Sequence, residues 1–103
     1  MRYRPHTDEC ARPPMKGDVC LFREAGETGF VRYRGVVVSV MGSTLTIRRL
    51  CHNDPHGSRH LISDVAPTGL EYTAYIDSAT VKVRMNDLVR ILGRLSRNDR
   101  PYL

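Results

Sequence analysis

The sequence lacks the features of a membrane or secreted protein. It has no apolar run that approaches the length of a membrane-spanning helix. Its residues 1–14 carry charges and prolines where a signal peptide has a continuous apolar stretch. The three cysteines, Cys10, Cys20 and Cys51, have no CxxC spacing, so they indicate neither a disulfide framework nor a thiolate zinc site. We therefore expect a cytoplasmic protein with free thiols and no membrane association.

The length and composition predict a single domain. A chain of 103 residues, 41% hydrophobic and 26% charged, can bury one modest core and has no room for two. Three prolines among polar residues predict a flexible arm over residues 1–14. The folded domain is then expected over residues 15–103.

Lysine is scarce in a chain whose net charge is +5. Of the 16 basic residues, 14 are arginine, and only Lys16 and Lys82 are lysine. A guanidinium matches phosphate oxygens with two parallel hydrogen bonds and stacks on bases, which lysine does poorly. The excess of arginine therefore indicates an RNA or DNA ligand. A genome that favours arginine codons would explain the same composition, so the positions of the arginines must decide.

Alternating apolar and polar residues predict five to seven strands. The three valines at 36–38 place apolar groups on both faces of the most buried strand. Two glycines predict a mobile loop over residues 24–31, and the phase of Leu50 predicts a β-bulge at Arg48–Arg49. The predicted strands cover residues 18–23, 33–41, 44–51, 59–63, 72–76 and 79–84.

A short helix is predicted after the last strand. Asn86 is a good N-cap, and Leu88, Ile91 and Leu92 follow at the spacing of one helical face. Gly93 supplies a stop for the helix. The expected fold is therefore mainly β, a small barrel or sheet of five to seven strands with a short helix near the C-terminus.

Three segments resemble motifs of a known family in their order and spacing. Residues 16–19 (KGDV) are similar to an opening strand that reads RGDI, and residues 34–39 (RGVVVS) are similar to a strand that reads RP-LVV-N, without its proline. Residues 80–96 (TVKVRMNDLVRILGRLS) are similar to a strand and short helix that end in KIGRLS. Together these segments resemble the MazF/PemK family of toxin ribonucleases.

The resemblance implies both a fold and an activity. The fold would be an SH3-like barrel of the CcdB/MazF type, and the activity would be that of the toxin of a type II toxin–antitoxin system. Such a toxin is an endoribonuclease that cleaves single-stranded RNA, including mRNA, and inhibits growth. It acts as a homodimer and is silenced by an antitoxin protein. Because the ribose 2′-hydroxyl attacks the neighbouring phosphate, the reaction needs a base, an acid and a cation but no metal or cofactor.

Four residues are the predicted catalytic groups. Arg34 matches the family's arginine before the valine-rich strand and would bind and polarise the scissile phosphate. Cys51 stands where the family has threonine or serine, and His52 and Asp77 are proton-transfer groups of suitable type. Val81 stands where several members carry an arginine, so the family's mechanism does not transfer residue for residue.

A basic surface for RNA is also predicted. Lys82 and Arg84 alternate with apolar residues and form the wet face of the last predicted strand. Single strands suit such a site because their bases can splay and stack on exposed aromatic rings. The predicted RNA-binding residues are Arg32, Tyr33, Arg48, Arg49, Lys82 and Arg84.

Two other interpretations follow from the same residues. The missing proline and the missing second arginine also suit a non-catalytic SH3-like barrel that binds a nucleic acid, or a protein as CcdB-type toxins bind gyrase. His52, His56 and His60 are spaced by four and on a helix would suggest a zinc site. Pro55 and Gly57 forbid that helix, so no metal site is predicted.

Overall fold

The computed structural model describes residues 2–3, 12–63 and 72–98, and in these ranges the chain is mainly β. All strand pairs are antiparallel. The strands are β1 (Arg2–Tyr3), β2 (Asp18–Gly26), β3 (Gly29–Met41), β4 (Thr44–Asn53), β5 (Arg59–Leu61), β6 (Tyr72–Thr73), β7 (Tyr75–Ile76), β8 (Val81–Arg84) and β9 (Leu88–Arg94), and a 3-10 helix covers Met85–Asp87.

The main sheet curls into a half-barrel. Five strands lie in the order β8-β4-β3-β2-β9, with β8 and β9 at opposite ends. These two strands are joined only by the 3-10 helix Met85–Asp87, which advances about 2 Å per residue. Five strands laid flat would separate β8 from β9 by roughly 19 Å, four spacings of about 4.8 Å. The short connection therefore requires a strongly curled sheet.

Strand β4 continues beyond the half-barrel and gains new neighbours there. Cys51 pairs with Leu61 of β5 on one edge and with Tyr75 of β7 on the other. Ile62 lies between β3 and β4, because its N–H donates to the carbonyl of Leu50 and its carbonyl accepts from the N–H of Arg34, both at 2.9 Å. Two short strands therefore extend the sheet around the end of β4.

The two faces of the sheet carry separate apolar cores, because successive side chains of a strand point to opposite sides. We call the side of the sheet that faces into the curl the inner face and the opposite side the outer face, and we use these names for every strand. The inner core contains Cys20, Phe22, Val37, Leu45, Ile47 and Val83. The outer core contains Val19, Leu21, Val36, Leu50, Ile62, Ala74, Leu92 and Leu95.

The predicted short helix is wrong, because residues 88–94 form strand β9. The register between β2 and β9 shifts twice, so that Leu88 and Ile91 oppose the inner-face residues Phe22 and Cys20. Each bulge adds one residue to β9, so that three residues instead of two separate successive side chains on the same face. The apolar residues of β9 are therefore spaced as they would be on a helix. The helix-start signal at Asn86 marks the 3-10 helix instead.

Two further predictions about local structure are wrong. The mobile loop over residues 24–31 is a regular hairpin, in which β2 and β3 pair as far as Gly26 and Gly29 around a two-residue turn. The predicted bulge at Arg48–Arg49 is absent, because β3 and β4 stay in register there, and the shift lies between Val37 and Ser39. Leu50 is buried because it belongs to the outer core.

The N-terminal segment is described only in part. Strand β1 pairs with β6, and residues 4–11, most of the predicted flexible arm, lie outside the described ranges. Arg12 forms two hydrogen bonds to the fully buried carboxylate of Asp18, at 2.6 and 2.8 Å. In the part of the chain that the structure describes, no helix is long and apolar enough to cross a membrane.

Candidate nucleic-acid interface

Basic side chains gather on the outer face of the half-barrel. Leu21 of β2 pairs with Arg34 of β3 on one side and with Arg90 of β9 on the other. Arg48 of β4 pairs with Val36. Directly paired residues of neighbouring strands share a face, so these guanidinium groups surround the outer core. We define the outer basic patch as Arg32, Arg34, Arg48, Lys82, Arg84 and Arg90.

The members of this patch range from buried to exposed. Arg34 is only 5% exposed, Arg48 and Arg90 are half-buried, and Arg32 is exposed. Arginine stems can cover apolar surface while their charged heads remain near water. On the described strands, every charged side chain of the outer face is basic, because Asp18 and Glu24 alternate onto the inner face. Positive potential is therefore concentrated on one face of the sheet.

An exposed aromatic ring continues this face along the β2–β3 hairpin. Phe30 is 63% exposed, and the guanidinium carbon of Arg23 lies 4.6 Å from the centre of its ring. Nε of Arg23 also donates a 2.9 Å hydrogen bond to Asp87 at the adjoining corner. An exposed ring beside cations is a stacking platform for an unpaired base.

A small cleft lies at the edge of the outer face. It has a volume of about 160 Å³ and is lined by Ser43, Thr44, Arg84, Met85 and Asn86. Sites that enclose a whole small molecule measure roughly 300–1,000 Å³. The cleft therefore suits one group of a larger ligand, and its hydroxyl, amide and guanidinium groups suit a phosphate or the edge of a base.

A pair of histidines lies on the same outer face, where β4 meets β5. His52 pairs with His60 in register, and their ring centres are 5.7 Å apart. Nε2 of His60 lies 2.8 Å from Oδ2 of Asp54. This hydrogen bond, followed by one from the backbone N–H of Ser58, lowers the pKa of Asp54. Within the described ranges, no group of three or more His, Cys, Asp or Glu side chains is placed to hold a metal ion.

The buried Arg34 projects from the same face as this histidine pair. The backbone of Ile62 connects Arg34 to Leu50 through two hydrogen bonds of 2.9 Å. His52 follows Leu50 by two residues along β4 and so shares its face. Arg34 and His52 are therefore separated by one segment of backbone and lie on the same side of the sheet.

A different arrangement occupies the inner face at the end of β4. Nη2 of Arg49 donates to both carboxylate oxygens of Glu24, at 2.5 and 2.7 Å. Nη2 of Arg59 donates to Oδ2 of Asp77 at 2.7 Å. Because Arg59 comes from the β5 side and Asp77 follows β7, this ion pair spans β4 above Cys51. We define Glu24, Arg49, Cys51, Arg59 and Asp77 as the inner ion-pair cluster.

The thiol of Cys51 is sealed beneath this cluster. Its side chain is fully buried. Burial raises the pKa of Cys51, and the charge and hydrogen bonding of Arg59 oppose that shift only in part. The thiol therefore stays protonated at neutral pH, and a nucleic acid does not reach it in this conformation.

The structure divides the predicted catalytic residues between the two faces. Arg34 and His52 lie on the outer face, whereas Cys51 and Asp77 lie on the inner face. Asp77 is only 5% exposed and is bound to Arg59, a residue that the sequence did not single out. The predicted set therefore does not form one site.

The predicted RNA-binding residues divide in the same way. Arg32, Arg48, Lys82 and Arg84 lie on the outer face, and Nζ of Lys82 donates to Thr46 at 2.7 Å. Two members lie on the inner face. Tyr33 packs against the inner core with its ring centre 6.4 Å from that of Phe22, and Arg49 is bound to Glu24.

Three functional candidates were missed. Arg90 was hidden by its assignment to a helix, since only the pairing with Leu21 shows its face. The spacing of His60 suggests only a metal ligand, and the register between β4 and β5 is what pairs it with His52. Phe30 was placed in a loop that is a strand.

Comparisons with known proteins identify no relative. No protein-family model, no curated protein and no solved structure matches this chain.

Proposed function

We propose that this protein is the toxin of a type II toxin–antitoxin system, a metal-independent endoribonuclease that binds single-stranded RNA on its outer face. The proposal includes an SH3-like barrel of the CcdB/MazF type, a homodimer and a silencing antitoxin protein. Its support is the curled antiparallel sheet together with the MazF/PemK-like segments at 16–19 and 34–39 and the strand part of the segment at 80–96, whose expected helix is strand β9.

The observation that carries the proposal is the outer basic patch. Arg34, Arg48 and Arg90 come from three strands and are brought onto one face by the register of the sheet. Arginine forks bind the oxygens of phosphates in pairs, and a row of them can follow a sugar–phosphate backbone. Phe30, exposed on the same face, adds a ring on which an unpaired base can stack. A charged face of this kind supports a single-stranded RNA ligand.

The outer face also holds groups suited to cleavage. Arg34 is 5% exposed, so its charge would act from beneath the face and stabilise the negative charge that grows on a phosphate held by its more exposed neighbours during attack by the 2′-hydroxyl. His52, on the same face, carries an imidazole, a group that commonly transfers protons in catalysis. Neither role requires a metal ion.

Expression of the wild-type protein from an inducible promoter tests the proposal. We expect growth arrest together with RNA fragments, and cleavage of a single-stranded RNA by the purified protein in the presence of a chelator. Arg34→Gln should abolish both effects, whereas Arg97→Gln, which removes an exposed arginine outside the patch, should preserve them. Because Arg34 is buried, circular dichroism must show that the Arg34→Gln variant is folded. Wild-type protein that leaves both growth and RNA intact would contradict the proposal.

The second candidate is a non-catalytic barrel that binds a protein, such as a gyrase-type target, or a nucleic acid. It is favoured by the placement of Cys51 and Asp77, which are turned away from Arg34 and held among the inner ion pairs. Growth arrest without any RNA fragment would support this candidate over the ribonuclease.

A further inference from the structure

The hairpin that joins β4 to β5 presents two imidazole rings side by side. His52 and His60 are direct cross-strand partners, with ring centres 5.7 Å apart and ring planes 29° apart. The side chain of His60 is 51% exposed, so a ligand on the outer face can reach it. The strand register therefore fixes two proton-transfer groups at a short, defined separation.

Asp54 holds one of these rings in place. Its Oδ1 accepts hydrogen bonds from the backbone N–H groups of His56 and Ser58, both at 2.9 Å, and its Oδ2 lies 2.8 Å from Nε2 of His60. The turn therefore fixes the carboxylate, and the carboxylate fixes the ring. With Nε2 of His60 bound to Asp54, Nδ1 is the ring nitrogen that could transfer a proton to a ligand.

Cleavage of RNA by its own 2′-hydroxyl needs two proton transfers, and two histidines can divide them. We propose that His52 is the base and His60 the acid of the ribonuclease reaction, with Asp54 as a positioning residue for His60. This inference rests on the proposed function and names residues for it. The carboxylate of Asp54 suggests this division, because it lies 2.8 Å from Nε2 of His60 and orients that ring.

The proposed step balances in atoms and charge. Neutral His52 takes the proton from the 2′-hydroxyl, whose oxygen then bonds to phosphorus. The bond between phosphorus and the 5′-oxygen breaks, and that oxygen receives the Nδ1 proton of protonated His60. The products are a 2′,3′-cyclic phosphate and a 5′-hydroxyl, and the two histidines have exchanged protonation states.

Two RNA substrates that differ in one atom separate the two roles. One carries oxygen and the other sulfur at the 5′-bridging position of the mapped cleavage site, and a thiolate leaves without being protonated. On the oxygen substrate we expect His52→Ala and His60→Ala each to lose about 100-fold or more in rate. On the sulfur substrate His60→Ala should recover most of its rate, whereas His52→Ala should not.

Two other variants complete the experiment. Asp54→Asn should slow the oxygen substrate more than the sulfur substrate, which a merely structural defect would not do. His56→Ala, a change in the same hairpin outside the proposed pair, should keep the wild-type rate on both substrates. If His60→Ala cuts the oxygen substrate at the wild-type rate, or loses equally on both, the assignment of His60 is wrong although the ribonuclease proposal stands. Wild-type protein that cuts neither substrate contradicts the ribonuclease itself.

Discussion

The inner and outer faces of the sheet differ in the charges that their strands carry, although Arg23 of the outer face is bound to a carboxylate, that of Asp87. On the inner face, arginines are bound to carboxylates, as Arg49 is to Glu24 and Arg59 is to Asp77. On the outer face, the described strands bring arginines together at positions where all other charged side chains are also basic. Adjacent residues of one strand, Arg48 and Arg49, thus belong to different surfaces. Strand alternation determines on which of the two faces each arginine lies.

The buried carboxylate of Asp18 is a further inner-face charge that is bound to arginines. It accepts hydrogen bonds from Arg12, from the backbone N–H of Met15 and from Arg94, the last at 3.3 Å. A buried charge is costly unless it is paired and hydrogen-bonded. Asp18 meets that condition and connects the segment before β2 to the end of β9.

The largest effect on stability is expected from a substitution at Gly35, where β3 packs closely against β4. A Cβ atom there would lie 2.6 Å from Cγ2 of Ile47 and 2.9 Å from the carbonyl oxygen of Arg48. The backbone oxygen cannot move without disturbing the register. We expect Gly35→Ala to lower the free energy of unfolding by about 3 kcal/mol, as measured by urea denaturation.

Gly42→Ala is the matched control for this substitution. Gly42 has φ of +59°, and a Cβ atom there would meet nothing within 4 Å, so its backbone strain alone should cost about 1 kcal/mol. Equal losses in the two variants would show that β3 and β4 are not tightly packed at Gly35. The division of arginines between faces would then lack its structural basis.

The sequence predicted the strands well and their connections poorly. Residues 18–23 were correctly predicted as strand, although both faces of β2 are buried there. Of the predicted strand 79–84, residues 81–84 form β8, which buries one face, whereas Ala79 and Thr80 are exposed and lie outside the strand. The stretch 88–94 was misread as a helix because two bulges shift its apolar residues out of alternation. Bulges depend on the partner strand, and a single sequence does not show which strand that is.

The candidate site shows the same limit. Arg34 and His52 were selected from residue type and motif, and their shared face follows from the register of β3 with β4 and from the hydrogen bonds of Ile62 to both strands. Cys51 and Asp77 were selected on the same grounds and lie on the inner face. Residue type indicates which side chains could bind a phosphate or transfer a proton. The register of the strands determines which of those side chains lie on the same face.

A second prediction tests whether water is excluded from the inner core around Cys20. Burial, followed by the charge of Asp18, raises the pKa of Cys20 from 9.0 to about 12. The folded protein therefore keeps a proton that the unfolded chain releases. This contribution to stability is complete below pH 9.0 and is lost as the pH rises toward about 12, by at most about 1.4 kcal/mol per pH unit.

Urea denaturation across this pH range measures the effect. Tyrosines and lysines titrate there as well, so the relevant quantity is the difference between wild type and Cys20→Ala. The variant should be less stable at neutral pH, because it leaves a cavity, and should lose less stability as the pH rises. Parallel pH curves for the two proteins would mean that water reaches the inner core.

The smallest and most discriminating effects are expected from the adjacent pair Arg48 and Arg49. Arg49→Gln breaks the hydrogen bonds to the part-buried Glu24 and should cost about 1 kcal/mol of stability, with little change in RNA affinity. Arg48→Gln should weaken binding of a single-stranded RNA about fivefold. Urea denaturation and fluorescence anisotropy titrations measure the two quantities.

The salt dependence of binding decides whether Arg48 acts through the RNA backbone. A residue that neutralises one phosphate contributes about 0.7 to the slope of log affinity against log salt for a single strand. Arg48→Gln should reduce the slope by about that amount, and Arg49→Gln should leave it unchanged, because the charge of Arg49 is already balanced by Glu24. If both variants reduce the slope equally, RNA contacts both faces, and strand alternation does not separate structural from binding arginines.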